Sequence, residues 1–361
     1  MRKTYEVVPS AKRLIKSLRD IGYDFSTAVA DIVDNSIEAG ASRVDIDVGF
    51  YGDDSYVRIS DNGNGMESED LKEAMRYGSE RDYVEEDLGR FGLGLKTASM
   101  SQCQRFSIAS RSKENIKKIS FFSWDLSHIE RTNKWEILQP EEKDIIELLS
   151  SPLSEHSGTV VLWERLDRII SFKNPDGEAA RNKMISMCRE LENYLAMVFH
   201  KFLSDEVAGK SLEIYFNRNK IQPWDPFARG ESRTNMLSPI KIKIIHNGVE
   251  NKVFLQPYIL PSKDEFSSQD SFQRLSGLSG WNQQQGFYIY RANRMIQSGG
   301  WCGLRVIDEH TKLARIELNF SPTLDDLFKI NVAKMKVQLP IQIREDIERA
   351  VKPIVLLARE H

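Results

Sequence analysis

The sequence predicts an α+β fold in two domains, on three observations. Helix-spaced and strand-like segments interleave through residues 11–163. A long helical segment at 178–203 follows. Beyond it lie further strand-like segments with turn-rich connections and a closing helix at 341–359. Strands with helices on one face give the first domain its class, and a chain of 361 residues exceeds one ordinary core and suits two domains. The first is expected over 1–205 and the second over 206–361.

Each element has a reason. Residues 11–20 place Leu14, Ile15 and Leu18 at helical spacing. Residues 25–39 form a second helix whose Asp31, Asn35 and Glu38 share a face. Val29, Ile32, Val33 and Ile37 lie opposite and are expected to pack on a sheet. Alternating polarity predicts strands at 43–50 and 56–60. A short helix starts near Glu67, another spans 96–103, and strands follow at 106–110, 118–122 and 159–163. In the second half, strands are expected at 212–216, 240–246, 253–258, 286–290 and 314–320. Residues 261–283, rich in Ser, Gln and Gly, read as a mobile loop.

Composition narrows the class. Hydrophobic content of 40% with 29% charged residues fits a globular protein rather than a disordered or membrane one. No stretch approaches the roughly 20 apolar residues of a membrane span, and the first residues lack the apolar run of a signal peptide. Cys103, Cys188 and Cys302 are odd in number and far apart, which fits a reducing cytoplasm and offers no metal-ligand spacing. Residues 201–361 carry 23 Lys+Arg against 18 Asp+Glu, and the rest carry 27 against 35, so +5 and -8 make up the net -3. The mildly basic second half permits a nucleic-acid surface without demanding one; ordinary solvated faces explain it equally.

Three motifs carry chemistry. On the second helix, the Asn35 amide oxygen suits magnesium, which takes one or two protein oxygens plus waters and phosphates. Asp31, one turn earlier, can orient or deprotonate a water. Asp34 and Glu38 line the same region. The competing explanation is a solvated helix face. At 61–66, Asp-Asn-Gly-Asn-Gly-Met sets a carboxylate beside Gly63 and Gly65, which permit close approach of a flat ring; an ordinary Asx turn would read the same. At 89–97, Gly-Arg-Phe-Gly-Leu-Gly-Leu-Lys-Thr can converge backbone N–H groups on phosphate at a helix start, with Lys96 adding charge. The Walker spacing is absent. Residues 78–88 form a charged stretch between glycines, either a lid whose Ser79 reaches phosphate or an exposed acidic loop.

The order of these motifs resembles the GHKL superfamily of ATP-binding proteins, which includes gyrase B, heat-shock chaperones, histidine kinases and MutL. Gly92-Leu-Gly-Leu-Lys-Thr-Ala-Ser-Met is similar to a run in MORC-like proteins, and the MORC-like and MutL-like ATPases are the nearest branches. The resemblance implies a Bergerat-fold ATP-binding α/β sandwich followed by a ribosomal-protein-like β-α-β transducer domain. It implies Asp31 as general base, where the superfamily normally has glutamate, and Asn35 as the Mg2+ ligand. Asp61 would read the adenine amino group, with Gly63, Gly65 and Met66 shaping the pocket. Gly89, Phe91, Gly92, Leu93, Gly94, Leu95, Lys96 and Thr97 would line the phosphates. Thr159, in Ser-Gly-Thr-Val-Val-Leu-Trp, would contact the adenine-reading aspartate or its water. Ile330-Asn-Val-Ala-Lys-Met-Lys-Val resembles the MutL segment whose lysine reaches the γ-phosphate; Lys334 is the candidate, with Lys329 and Lys336 as rivals.

The function so implied is a slow Mg-dependent ATPase switch that dimerises on binding ATP, with residues 1–12 crossing to the partner. Its setting is DNA maintenance or defence against foreign DNA, in the cytoplasm, away from membranes, with a separate effector protein as a further partner. Two readings from other classes stay open: a chaperone-like switch acting on protein clients, and a histidine-kinase-type phosphotransferase, for which no helical hairpin precedes the ATP-binding region.

Overall fold

The computed structural model describes residues 3, 5, 7–78, 94–277, 279–330 and 337–360. The α+β class is the one observed. The chain divides into two compact units. One holds the described residues up to 78, residues 94–192 and Lys210–Ile221; the other holds Asn193–Gly209 and the described residues from Gln222 onward.

The first unit opens with helices α1 (Ala11–Arg19) and α2 (Phe25–Glu38). The Asp24 carboxylate accepts from the Thr27 N–H at 2.8 Å, satisfying one of the free donors at the start of α2. Strands β1 (Arg43–Gly49) and β2 (Tyr56–Asp61) pair antiparallel. Then come α3 (Ser68–Met75), α4 (Gly94–Gln102), β3 (Arg105–Arg111), β4 (Ser120–Asp125), α5 (Leu126–Thr132), α6 (Lys143–Ser150) and β5 (Gly158–Glu164). After α7 (Glu178–Val198) and α8 (His200–Leu203), strands β6 (Glu213–Phe216) and β7 (Asn219–Lys220) complete a seven-stranded sheet. Its order is β4-β3-β5-β2-β1-β6-β7.

Two features of the first unit stand out. The first is a strand that joins its sheet late in the chain. Strand β6 lies parallel to β1, with Arg43 opposite Glu213 and Ile46 opposite Phe216. Val44, Ile46, Ile214 and Phe216 are all buried, so this strand completes the first sheet although the chain has already entered the second unit. The second corrects the expectation of helices on one face only. Val160, Val161, Leu162 and Trp163 run without alternation in β5, and successive side chains in a strand point to opposite faces. Such a run needs cover on both sides. Val160 and Leu162 pack with Leu149 of α6, a helix the sequence reading missed. Trp163 meets Phe25 of α2 edge to face, ring centres 6.3 Å apart.

The second unit is built on β8 (Asn235–Met236), β9 (Ile240–His246), β10 (Val249–Ile259), β11 (Gly286–Arg291), β12 (Arg294–Ser298) and β13 (Ala314–Phe320). They run in the order β12-β11-β13-β10-β8, with β9 also paired to β10. Asn247 and Gly248, at φ of +51° and +78°, make the two-residue turn whose twist suits a hairpin. Helix α9 (Gln269–Leu275) and the short α10 (Asp325–Phe328) precede α11 (Ile341–Glu360). Ile343, Ile347, Val351 and Ile354 of α11 are buried, the spacing of a stripe laid on a sheet. The mobile loop expected at 261–283 is also corrected. Ser268 caps α9, and Phe266, Phe272 and Trp281 pack together, the last two stacked at 4.5 Å. Aromatic burial outweighs the polar composition of the stretch. Among the described residues, no helix is long and apolar enough to cross a membrane.

Candidate functional site

Helix α2 is the spine of the site. Its apolar face is buried as expected, but so are Asp31, at 3% exposure, and Asp34, at 0%. Helix α4 lies against α2, so the Asp31 side of the helix is not the solvated face that was the competing explanation. Asn35 is half-buried and Glu38 exposed.

One cluster forms around Asp31. The Tyr23 hydroxyl donates to Asp31 Oδ2 at 2.5 Å, and the Thr97 side chain adjoins the phenol. Burial and the Asp31 charge push the Tyr23 phenol well above its usual range, so it stays a donor. Gly94, at the start of α4, faces the same carboxylate: a Cβ there would lie 2.9 Å from Oδ2. Leu95 is half-buried beside it, and its carbonyl accepts from Ser99. Tyr23 was not singled out from the sequence; a lone tyrosine before a helix gives no periodic signal.

A second cluster forms around Asp61 at the end of β2. Its carboxylate accepts from the Ser36 hydroxyl at 2.9 Å, the Gly63 N–H at 2.9 Å and the Thr159 N–H at 3.2 Å. Burial raises the Asp61 carboxyl above its usual range while these donors pull it back. Thr159 thus touches Asp61 through its backbone; its hydroxyl meets that of Ser110 at 3.0 Å, because the antiparallel register sets Ser110 opposite Thr159. Ser110 also accepts from the Met66 N–H at 2.8 Å. Gly65 sits at φ +64°, and a Cβ there would come 2.0 Å from the Arg111 carbonyl oxygen. Ser36 and Ser110 were missed, although Ser36 directly follows Asn35.

Both clusters hang on one helix. Asp31 and Ser36 are five residues apart, about 7.5 Å along the axis, and both point inward. The site therefore offers a caged acceptor at one end and a second carboxylate beside a helix start at the other. Asn35 stands between them with a neutral, half-buried oxygen donor. Among the described residues, no group of three His, Cys, Asp or Glu could hold a metal by itself. The donor set fits magnesium that draws its other ligands from water and phosphate.

Lys96 lies differently from the expectation of a charge aimed at phosphate. It is buried, and its Nζ donates to the Ala74 carbonyl near the end of α3 at 2.9 Å, capping carbonyls that a helix end leaves free. Ser79, Gly89, Phe91, Gly92, Leu93, Lys334 and Lys336, with most of the expected lid, lie outside the described residues. Lys329 is described and occupies a left-handed turn after α10.

Residues 23–159, which span both clusters, match the family of histidine kinase-, DNA gyrase B- and HSP90-like ATPases. The chain is also similar to the DNA mismatch repair protein MutL of Shewanella amazonensis, 36% identical over 97 residues, covering 26% of this chain and 15% of that protein. MutL of Serratia proteamaculans is 35% identical over 94 residues, covering 25% and 15%. MutL of Aliivibrio salmonicida is 36% identical over 91 residues, covering 24% and 14%. The matched stretch is thus roughly a seventh of each relative's length.

Burial lowers the Lys96 ammonium from 10.5 to about 8. Between those values the unfolded chain binds more protons than the folded one, so this residue makes stability rise with pH from about 8 upward. Lys96→Met is expected to remove that rise, read as the difference between wild-type and variant denaturation midpoints at about pH 7 and about pH 10. Equal pH dependence in the two proteins would show that Lys96 is not desolvated.

Proposed function

We propose that this chain, whose residues 23–159 match the histidine kinase-, DNA gyrase B- and HSP90-like ATPases, is a magnesium-dependent ATP switch of the GHKL superfamily that closes as a homodimer. The observation that carries this reading is the mounting of two carboxylate clusters on one buried helix, Asp31 facing Gly94 and Asp61 held by Ser36. Asp61 accepts from the adenine amino group, its geometry fixed by Ser36, Gly63 and the Thr159 backbone. Gly63 and Gly65 let this turn pack tightly on Ala39 and Arg111 and so shape the wall of the ring site, which Met66 borders. Asn35 holds magnesium together with the phosphates; the ion, when bound, offsets phosphate charge. Asp31 orients the attacking water and takes its proton. Backbone donors of the 89–97 loop receive the phosphates, from Gly89, Phe91, Gly92 and Leu93 through Gly94, Leu95 and Thr97. Lys96 joins them only by leaving the Ala74 carbonyl.

Residues 206–361 act in this reading as the transducer, and the 78–94 stretch as the lid that ATP orders. Ordering and release, rather than chemistry, then limit turnover. The likeness to DNA mismatch repair proteins and the basic second half support work on DNA, in the cytoplasm. An effector protein would act beside it.

Asp31→Asn is expected to keep Mg-ATP binding in calorimetry and to lose about 100-fold or more in turnover, the scale of a lost general base. Wild-type turnover in that variant would remove Asp31 from the role, and absence of binding heat with the unmodified chain would sink the ATP switch. A non-hydrolysable ATP analogue should shift the protein to a dimer in gel filtration; an unchanged size at high protein concentration counts against closure. Duplex DNA should raise turnover at low salt and lose that effect as salt increases. Indifference to DNA, with stimulation by an unfolded protein client, would favour a chaperone-like switch.

A further inference from the structure

We propose that Tyr23 is a positioning residue for hydrolysis, fixing the Asp31 carboxylate through its hydroxyl and tying it to the start of α4. This rests on the reading of Asp31 as the base. An aspartate is one methylene shorter than the glutamate usual at this place in the superfamily, so its carboxylate must be held by something other than its own length. The Tyr23 hydroxyl does so at 2.5 Å from Oδ2, the short distance of a charge-assisted hydrogen bond. Gly94 closes the other side, since a Cβ there would come within 2.9 Å of the same oxygen. Thr97, a turn into α4 and fully buried, adjoins the same phenol, and its hydroxyl donates to the Gly94 carbonyl at 3.5 Å. Gln102, at the far end of the same helix, donates to the Tyr23 backbone carbonyl at 3.3 Å.

Tyr23 is 8% exposed and lies one residue before the cap of α2, so it is braced by α4 at two points while it grips α2. The hydroxyl stays protonated throughout and takes no part in bond making; its work is orientation.

The test is Tyr23→Phe, which keeps the ring and deletes one oxygen. Nucleotide affinity is read by calorimetry with a non-hydrolysable ATP analogue, and kcat by phosphate release. The expected result is a kcat lower by about 10- to 100-fold, the scale of a misplaced reacting group, with Kd within twofold of wild type. In an Asp31→Asn background the same change should have no further effect. Unchanged kcat overturns the proposal, as does a parallel loss of affinity and kcat, the mark of a merely structural role. If Asp31→Asn retains full turnover, the base assignment fails and this inference with it. If Asp31→Asn is inactive while Tyr23→Phe turns over normally, only the positioning role fails.

Discussion

Burying carboxylates is the constraint from which the first unit is built. Moving an ion out of water costs several kcal/mol even after relaxation, yet α2 carries Asp31 and Asp34 into the interior and β2 ends on a buried Asp61. Such groups persist only where donors are placed for them. Tyr23 serves Asp31; Ser36, Gly63 and Thr159 serve Asp61. Three of these donors are in place because of an element boundary: Tyr23 in the turn before α2, Gly63 in the turn after β2 and Thr159 among the first residues of β5, while Ser36 lies within α2 itself. The fold around the site is therefore arranged by the needs of two charges as much as by apolar packing.

Close backbone approach is the second condition. Gly65 abuts the Arg111 carbonyl, and Gly158, at φ +149°, abuts the Asp61 carbonyl. Side chains at these positions would push β3 and β5 away from the turn that carries Asp61. The second unit solves its own burial problem differently. Arg315 is fully buried. It donates to the carbonyls of Pro226 and Leu275 at 2.6 and 2.7 Å and lies against Trp224, Trp281 and Tyr288. Carbonyl dipoles and aromatic faces line the guanidinium, and the Asp225 charge acts on it as well.

Much of this was legible in the residues. Segments with one clear period, such as Ile240–His246 and Ala314–Phe320, were read to the residue. Helix α2 was read within one residue, because its apolar spacing and its cap agree. What the sequence hid depends on partners distant along the chain. The burial of Asp31 requires α4 to pack on α2, and nothing local to 31–38 says so. The addition of β6 beside β1 joins residues about 170 apart, beyond the reach of any local pattern. Helix α6 was passed over although Ile145, Leu148 and Leu149 are helix-spaced, because charged neighbours obscured the stripe. Motif chemistry picked out Asp61 but not Ser36, since a hydroxyl beside an amide carries no distinctive spacing.

The late arrival of β6 has a consequence for synthesis. A ribosome must release residues to about 220 before the first sheet can be closed, so β1 waits as an unpaired edge while α7 and α8 emerge. Waiting edges invite pairing with other chains, and contacts of such long range are slow to form. The alternating charges on β1, with Asp45 bound by Arg43 and Asp47 by Arg58, put repulsive, hydrated groups along that strand and guard the nascent polypeptide against sticking to its neighbours.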